Sequence, residues 1–435
     1  MPILPADHPE RFALAEEAHS RPPESVDVPT RATYVALLVE PEQREHELVH
    51  LGALCALHGV AAPRAGATHF SASLGDLRVK WERHGEFSGY TFFAPGRSPQ
   101  PFSEPATARL PAAWLAAMPG QTLVAAHAKL VPDTGEPPDA AALAAHFDGN
   151  IVVGAEVGDG AGLAYTDFRM HPDGFSRFLV IDRGLTPRQA GRTLQRLFEI
   201  EVYRMLALLA LPIARRLSPR IVAIERSLAA LTDGIAHGRG DDEALLQELT
   251  RLAAEVESGL VASQFRFGAC RAYFELVTTR IGELRERRLP GIQTIAEFME
   301  RRFTPAVATC NTVSQRLHDL SERVAQASGL LSTRVDITRE RQNQALLASM
   351  DRRAKLQLRL QQTVEGLSVA AIVYYVAGVV GYLAKAVKAG GAHIEPDLVV
   401  GVVIPIVALL VLVEVRAARK RVRAAEQAHS QSIAD

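Results

Sequence analysis

The stretch RRAKLQLRLQQTVEGLSVAAIVYYVAGVVGYLAKA, residues 352–386, decides the fold of this chain. Its first part is basic and rich in glutamine, and its second part carries no charged side chain from residue 367 to residue 384. About 18 uncharged residues lie in the lower range for a helix that crosses a bilayer. The stretch therefore predicts a helix that leaves an aqueous phase and enters a membrane, either as a tether or as the wall of a pore.

A second apolar run, residues 398–413, follows after a short connection and is rich in Val, Leu and Ile. Pro405 lies inside it, and membrane helices tolerate proline. The two runs, about 367–384 and 398–413, predict a transmembrane hairpin within residues 362–416; a hairpin buried in a soluble core is the alternative. Basic side chains flank the hairpin on both outer sides, whereas the connection holds only two lysines. By the positive-inside rule, both termini are predicted to lie in the cytoplasm.

Composition and the N-terminal sequence narrow the class of protein. Lys and Arg number 48 against 49 Asp and Glu, which argues against a nucleic-acid-binding protein because such proteins carry a basic excess. The three cysteines form no CxxC pair, which argues against a disulfide framework or a zinc ribbon. The first residues, MPILPADHPERF, lack the apolar core of a signal peptide. We therefore expect the chain to reach the lipid bilayer, its predicted partner, through its C-terminal part.

The residues before the hairpin change character near residue 186. Runs typical of strands alternate with helical patterns over residues 31–183, and helical periodicity without strands follows over residues 186–361. Residues 1–30 are rich in proline and predict an irregular arm, and residues 417–435 predict a basic cytoplasmic tail. The predicted fold class is therefore α+β, with an N-terminal mixed α/β cytoplasmic domain, a long helical stalk and a C-terminal two-helix transmembrane hairpin.

One stripe along the last stalk helix changes from apolar to polar. Apolar residues recur at spacings of four and three from Val313 to Val335, which is the pattern of a coiled-coil seam. Beyond them the same spacing continues with polar or small side chains. One interpretation is that the stripe faces water between subunits. The other is that the helix turns away from its partner helix here, or packs loosely against it. The members of the stripe are Thr338, Gln342, Ala345 and Ser349.

The first span is more polar than the second. Small and polar side chains belong where membrane helices meet each other or line a cavity. Two acidic residues of the connection, Glu395 and Asp397, are candidates for the outer mouth of a pore, where they would attract cations. The pore-lining or helix-contact candidates in the first span and just before it are Thr363, Ser368, Tyr374, Gly378 and Gly381.

His46, Glu47 and His50 match the H-E-x-x-H pattern on a predicted helix. Two histidines one turn apart can share a zinc ion, with the glutamate as general base. A zinc site needs a third ligand, and the glycine and histidine of the longer metzincin motif are not at their places. We therefore treat His46 and His50 as metal candidates of second rank, and expect no catalytic residue, no resident cofactor and no enzymatic activity.

Four blocks of the sequence resemble a bacterial family of unknown function that is described as predicted membrane-anchored proteins. The resemblance spans nearly the whole chain and implies a location, which we take as the bacterial inner membrane, but no biochemical activity. The blocks are HPERFALAEEAHSRPPE (residues 8–24), LRVKWERHGEFSGYTF (77–92), QRLFEIEVYRMLALLALPIAR (195–215) and LLSTRVDITRERQNQALLASMDRRAKLQLRLQQTVEGLSVAAIVYYVAGVVGYL (330–383).

The layout is also similar, more remotely, to the CorA-type divalent-cation transporters. Those are homo-pentamers whose stalk and first span line the pore, so the resemblance implies a homo-oligomer, with a pentamer as the expected assembly, and a divalent cation as cargo. Their Gly-Met-Asn signature is replaced here by Gly-Tyr-Leu at residues 381–383, although the acidic loop Glu-Pro-Asp-Leu at residues 395–398 is similar. The leading hypothesis is a CorA-like cation channel or transporter that lacks this signature. The alternatives are a membrane-tethered scaffold or sensor, and a zinc hydrolase.

Overall fold

The computed structural model of the chain describes residues 5, 7–17, 23–136, 138–391 and 395–431. These fall into two compact units, Met1–Leu331 and Ser332–Asp435, and each is described by itself. Parts of the predicted arm (residues 1–30) and of the predicted tail (residues 417–435) lie outside the described residues. The predicted domain boundaries at residues 30, 183 and 361 stay predictions.

A nine-stranded sheet forms the centre of the first unit, in the order β2-β3-β4-β1-β5-β8-β7-β6-β9. Consecutive strands pair antiparallel within two meanders, β2-β3-β4 and β6-β7-β8, and β5 joins β8 in parallel. Gly75-Asp76 and Gly85-Glu86 predict short turns between β2, β3 and β4, and the structure has them there, whereas the longer segment 167–175 joins β7 to β8. The strands are β1 (Thr30–Leu38), β2 (His69–Leu74), β3 (Leu77–Arg83), β4 (Phe87–Pro95), β5 (Gln121–Pro132), β6 (Val153–Val157), β7 (Gly162–Thr166), β8 (Ser176–Asp182) and β9 (Arg287–Arg288).

Strand β1 lies near the middle of the sheet, and almost all of its side chains are buried. It pairs with β4 on one side and with β5 on the other. One face of this half of the sheet buries large aromatic side chains, among them Trp81, Tyr90, Phe92 and Trp114. On the other face Tyr34 stacks on Phe198, with ring centroids 5.0 Å apart. A strand covered on both faces is mostly apolar, as residues 34–38 are, and its buried polar side chains need partners. Arg31 donates to Glu104 and to the Pro95 carbonyl, and Thr33 lies 3.0 Å from His127 Nδ1.

The helices among the strands are short, and four of the five longest helices begin after residue 200. Helix α5 begins where the sequence predicts, because Thr186 and Gln189 form a capping box and Pro187 occupies the first turn. The helices are α1 (Arg11–Glu17), α2 (Arg44–Leu57), α3 (Ala112–Ala116), α4 (Ala140–His146), α5 (Pro187–Leu208), α6 (Ala210–Ala236), α7 (Asp242–Leu284), α8 (Ile295–Arg302), α9 (Thr304–Ala389) and α10 (Pro396–Gln431).

The sequence pattern predicts a second helical stretch over about residues 221–232. The corresponding helix, α6, begins at Ala210, eleven residues earlier. Pro219 lies inside the helix and is exposed. The proline removes one backbone donor, but the carbonyl that it leaves free is on the solvent side, where water can bind it. The helix therefore continues through Pro219.

The apolar seam predicted for the last stalk helix is buried within the first unit. Val313, Leu317, Leu320, Val324, Ala327 and Leu331 are all at most 5% exposed. Helix α9 packs there against helices of its own chain, since Arg316 pairs with Glu225 of α6 at 2.7 Å. The boundary between the two units follows directly after Leu331, where the buried part of the seam ends.

Candidate functional site

Two helices of the described residues are long and apolar enough to cross a membrane. One is the C-terminal part of α9, and the other is α10 over Pro396–Ala417. Almost none of their apolar surface is buried within the chain, unlike that of a core helix of a soluble protein. The two runs that the sequence predicts as spans therefore lie on two helices with the length and composition of membrane spans, and the pair they form is the candidate site.

The two helices of the hairpin enclose a cavity of about 750 Å³. Four of the predicted pore-lining, helix-contact or mouth residues meet at its wall, namely Tyr374, Gly378, Gly381 and Asp397. Small residues permit the helices to approach, since a Cβ atom on Gly381 would lie only 3.3 Å from Val400 Cγ2. The cavity is thus a groove with a small-residue floor and polar groups at one end.

Three tyrosines on α9 line the groove and point their rings outward. Tyr374, Tyr375 and Tyr382 are each more than 70% exposed in the single chain, and the rings of Tyr374 and Tyr375 lie edge to face at 5.8 Å. Tyr374 and Tyr375 fall in the middle of the predicted span. A phenol hydroxyl surrounded by hydrocarbon needs a hydrogen-bond partner, either from another helix or from water. The tyrosines therefore require either a neighbouring chain or a wet cavity.

The predicted outer-mouth residues differ in their surroundings. Glu395 Oε1 lies 2.9 Å from Lys388 Nζ, so its charge is balanced by a lysine of the same connection. Asp397 and Lys385 both line the groove. The lysine beside Glu395 reduces the attraction that this carboxylate exerts on a cation.

The remaining candidates lie along α9 before or at the start of the span, outside the groove. Thr338, Thr363 and Ser368 each donate their hydroxyl to the backbone carbonyl four residues earlier, at 2.9 Å. This is the usual way in which hydroxyl side chains are satisfied on a helix. Their donors are used within the helix, while their acceptor lone pairs remain for water or another chain. Gln342 is exposed and Ser349 is half-buried.

A second stripe on α9 was missed by the sequence reading, and it is apolar. Leu346, Met350, Leu360, Val364 and Leu367 are 59–75% exposed and follow the same spacing of fours and threes, which two polar positions, Arg353 and Gln357, interrupt in the middle of the stripe. The stripe lies one residue further along than the polar one, so the two run side by side. Most of it precedes the span that begins near residue 367, and exposed apolar side chains on such a helix mark an interaction face.

The H-E-x-x-H residues have structural partners. Glu47 on α2 is completely buried, and its carboxylate accepts hydrogen bonds from Trp81 Nε1 at 2.9 Å, from Arg83 Nη2 at 2.9 Å and from the Tyr90 hydroxyl at 3.1 Å. Burial and this carboxylate raise the pKa of Tyr90. The network fixes α2 to strands β3 and β4. Glu47 therefore acts as a buried acceptor, with both oxygens engaged.

The two histidines of the motif do not converge on a common site. His50 stacks on Trp114, and its Nε2 atom lies 3.0 Å from the Trp114 carbonyl oxygen, while His46 is exposed. Burial lowers the pKa of His50. Across the described part of the chain, no three histidine, cysteine or acidic side chains gather as a metal site would require.

A further polar cluster holds His171 between two aspartates. Its Nδ1 atom lies 2.9 Å from Asp148 and its Nε2 atom lies 3.0 Å from Asp167, which is fully buried. Arg177 donates to Asp148 at 3.1 Å. The hydrogen bond from His171, followed by that from Arg177, lowers the pKa of Asp148. The cluster ties the loop after α4 to the loop after β7, and it is not predicted from the sequence because Asp148 comes from a different loop than Asp167 and His171.

Comparison with known proteins gives one match. A family model described as "Protein of unknown function (DUF3422)" matches residues 6–422, which is nearly the whole chain. No curated protein matches the chain. No solved structure matches it either, so the likeness to CorA-type transporters rests on the order of elements alone.

Proposed function

We propose that this chain, which belongs to the DUF3422 family of proteins of unknown function, is a membrane-anchored homo-oligomer whose copies associate along α9 and the hairpin. The observation that carries the proposal is the exposed apolar stripe on α9, Leu346 to Leu367. Its part before the span lies in water in a single chain, and a second copy would bury it. The proposal places the chain in the bacterial inner membrane with both termini in the cytoplasm, and assigns it no enzymatic activity.

In such a homo-oligomer, the proposed activity is the passage of cations along the axis that the copies surround. If apolar stripes of neighbouring copies pack together, the polar stripe beside them lies next to the contact, where it can face a central path. A pentamer is the expected assembly because of the CorA-like layout. Glu395 and Asp397 would lie at the outer end, and Thr363 and Tyr374 along the path.

A tethered scaffold or sensor is the second candidate, and the Lys388–Glu395 ion pair at 2.9 Å favours it. A balanced charge at the outer end does not concentrate cations as an unpaired ring of carboxylates does. In this case the hairpin only anchors and assembles the chain. An unrelated two-span hairpin in its place would then preserve the cellular role.

Assembly is tested with two matched double variants of the full chain in detergent. Leu346→Glu with Leu360→Glu changes the apolar stripe, whereas Leu347→Glu with Leu358→Glu adds the same charges at exposed positions of another face. Light scattering coupled to size-exclusion chromatography is expected to show an oligomer for the parent and for the second pair, and a single chain for the first. A monomeric parent, or an intact oligomer with the first pair, contradicts the proposal.

Cation passage is tested by flux into liposomes that contain the parent protein. Gln342→Leu on the polar stripe is expected to reduce the flux by about tenfold or more, because an apolar ring in a narrow path removes water from it. Gln344→Leu, two residues away on another face, is the control and is expected to leave the flux unchanged. An oligomeric parent without flux of any monovalent or divalent cation would favour the scaffold.

A further inference from the structure

The first unit contains a cavity of about 610 Å³ that neither the hairpin nor the Glu47 network uses. It lies between the end of β1, the start of α2, the turn between β3 and β4, and the helices α6 and α7. Its volume is in the range of pockets that bind small molecules. All the residues that line it, apolar and charged, belong to the first unit.

The cavity exists because the long helical run that begins as α5 is interrupted. Pro212 has no N–H and cannot donate to the Leu208 carbonyl, and α5 ends at Leu208 while α6 begins at Ala210. The interruption changes the course of the chain beside the sheet. Leu209, Pro212 and Ile213 then form an apolar wall, and the exposed Phe265 ring lies at the rim.

Three arginines line the cavity, and part of their donor capacity is unused. Arg266 donates through Nη2 to Glu86, but its Nη1 atom is buried and has no partner among the described residues. Arg44 gives its Nη2 to the Gly85 carbonyl at 2.6 Å. Arg216 is exposed and pairs with no carboxylate in the part of the chain that the structure describes.

The acidic groups of the cavity do not cancel this charge. Glu86 is engaged by Arg266 and by Tyr273, whose pKa is raised by burial and by that hydrogen bond. Glu40 is exposed at the rim. The cavity thus combines guanidinium N–H groups that are available for a ligand with an apolar wall and an aromatic ring.

We propose that this cavity binds a small phosphate monoester that carries an apolar or aromatic group. Guanidinium groups bind phosphate oxygens in pairs of parallel hydrogen bonds, which uses the donors that Arg216 and Arg266 leave free. The apolar part packs on Phe265 and on the wall at Pro212. A soluble ester and the headgroup of a phospholipid share this chemistry, and the experiment separates them.

The test is calorimetric titration of the full chain in detergent with phenyl phosphate, inorganic phosphate and dihexanoyl phosphatidic acid. Phenyl phosphate is expected to bind saturably and more tightly than inorganic phosphate, because only phenyl phosphate fills the apolar wall. Tighter binding of the lipid than of phenyl phosphate would assign the site to a phospholipid headgroup. No saturable binding of any of the three at millimolar concentration overturns the proposal.

Variants show whether binding occurs in this cavity. Arg216→Ala is expected to weaken phenyl phosphate binding by about tenfold or more, the usual loss for a charged hydrogen bond. Arg215→Ala removes the same charge from the neighbouring exposed position, which does not line the cavity, and is expected to change binding less than twofold. Glu40→Gln is expected to tighten binding by about threefold, because a negative charge leaves the rim. Equal losses for Arg215→Ala and Arg216→Ala would mean general surface attraction and overturn the assignment.

Discussion

Replacing Glu47 by alanine is expected to lower the free energy of unfolding of the first unit by about 3–5 kcal/mol, the typical cost of breaking a buried ion pair. The carboxylate is fully buried, and its loss leaves the Arg83 guanidinium, the Trp81 indole N–H and the Tyr90 hydroxyl without their acceptor. Glu47→Gln keeps one neutral acceptor and is expected to cost less, about 1–3 kcal/mol. Urea unfolding followed by tryptophan fluorescence measures both, since the only two tryptophans, Trp81 and Trp114, lie in this core.

Glu45→Ala is the control for Glu47, because Glu45 is an exposed glutamate on the same helix. It is expected to change stability by less than about 0.5 kcal/mol. A Glu47→Ala protein that is as stable as the parent would contradict a structural role. If Glu47→Gln then also abolished a zinc-dependent hydrolysis, the metal hypothesis would regain support.

Gly191→Ala is expected to lower the free energy of unfolding, whereas helix propensity alone predicts that it would raise it. Alanine in the interior of α5 should stabilise the helix by about 1 kcal/mol. At this position, however, the new Cβ atom would lie 1.8 Å from the Glu24 carbonyl oxygen and 3.3 Å from Val26 Cγ2. The segment at Val26, whose N–H donates to the Pro187 carbonyl at 3.0 Å, would have to move away. We expect a loss of about 2–3 kcal/mol, measured by urea unfolding.

Gly268→Ala on α7 provides the matched control for this substitution. No atom lies within 4 Å of a Cβ placed on Gly268, so only the propensity effect remains. This variant is expected to gain about 0.5–1 kcal/mol. If Gly191→Ala shifted the transition in the same direction as Gly268→Ala, the close approach of residues 24–26 to α5 would be wrong.

Local signals explain why much of the fold can be predicted. The turns at Gly75 and Gly85 separate strand-like runs, and strands β2 to β4 appear where those runs lie. Thr186 and Pro187 mark the start of α5 because a cap acts within one helical turn. The signals for the hairpin are also local, because the length of each apolar run and the charges beside it depend only on neighbouring residues in the sequence.

Long-range contacts explain what cannot be predicted. The helical position of Glu47 follows from its neighbours, but its partners at Trp81 and Tyr90 come from two other strands. The arginine cavity likewise joins Arg44, Arg216 and Arg266 from three separate helices. At the candidate site, four of the predicted residues line the groove, whereas the apolar stripe on α9 lies one residue from the predicted seam and is not part of that prediction.

The parallel junction of the sheet has a consequence for the kinetics of folding. Within each meander the paired strands follow one another, so closing the chain between them costs little entropy. Strand β5 is different, because Ala126 pairs with Tyr34 on one side and with Ser176 on the other. Contacts between distant parts of a chain slow folding. Distant pairing also joins β1 to β4 and β6 to β9, but in the sheet that the structure describes only β5 connects the two halves, so both halves depend on its pairing to become a single sheet.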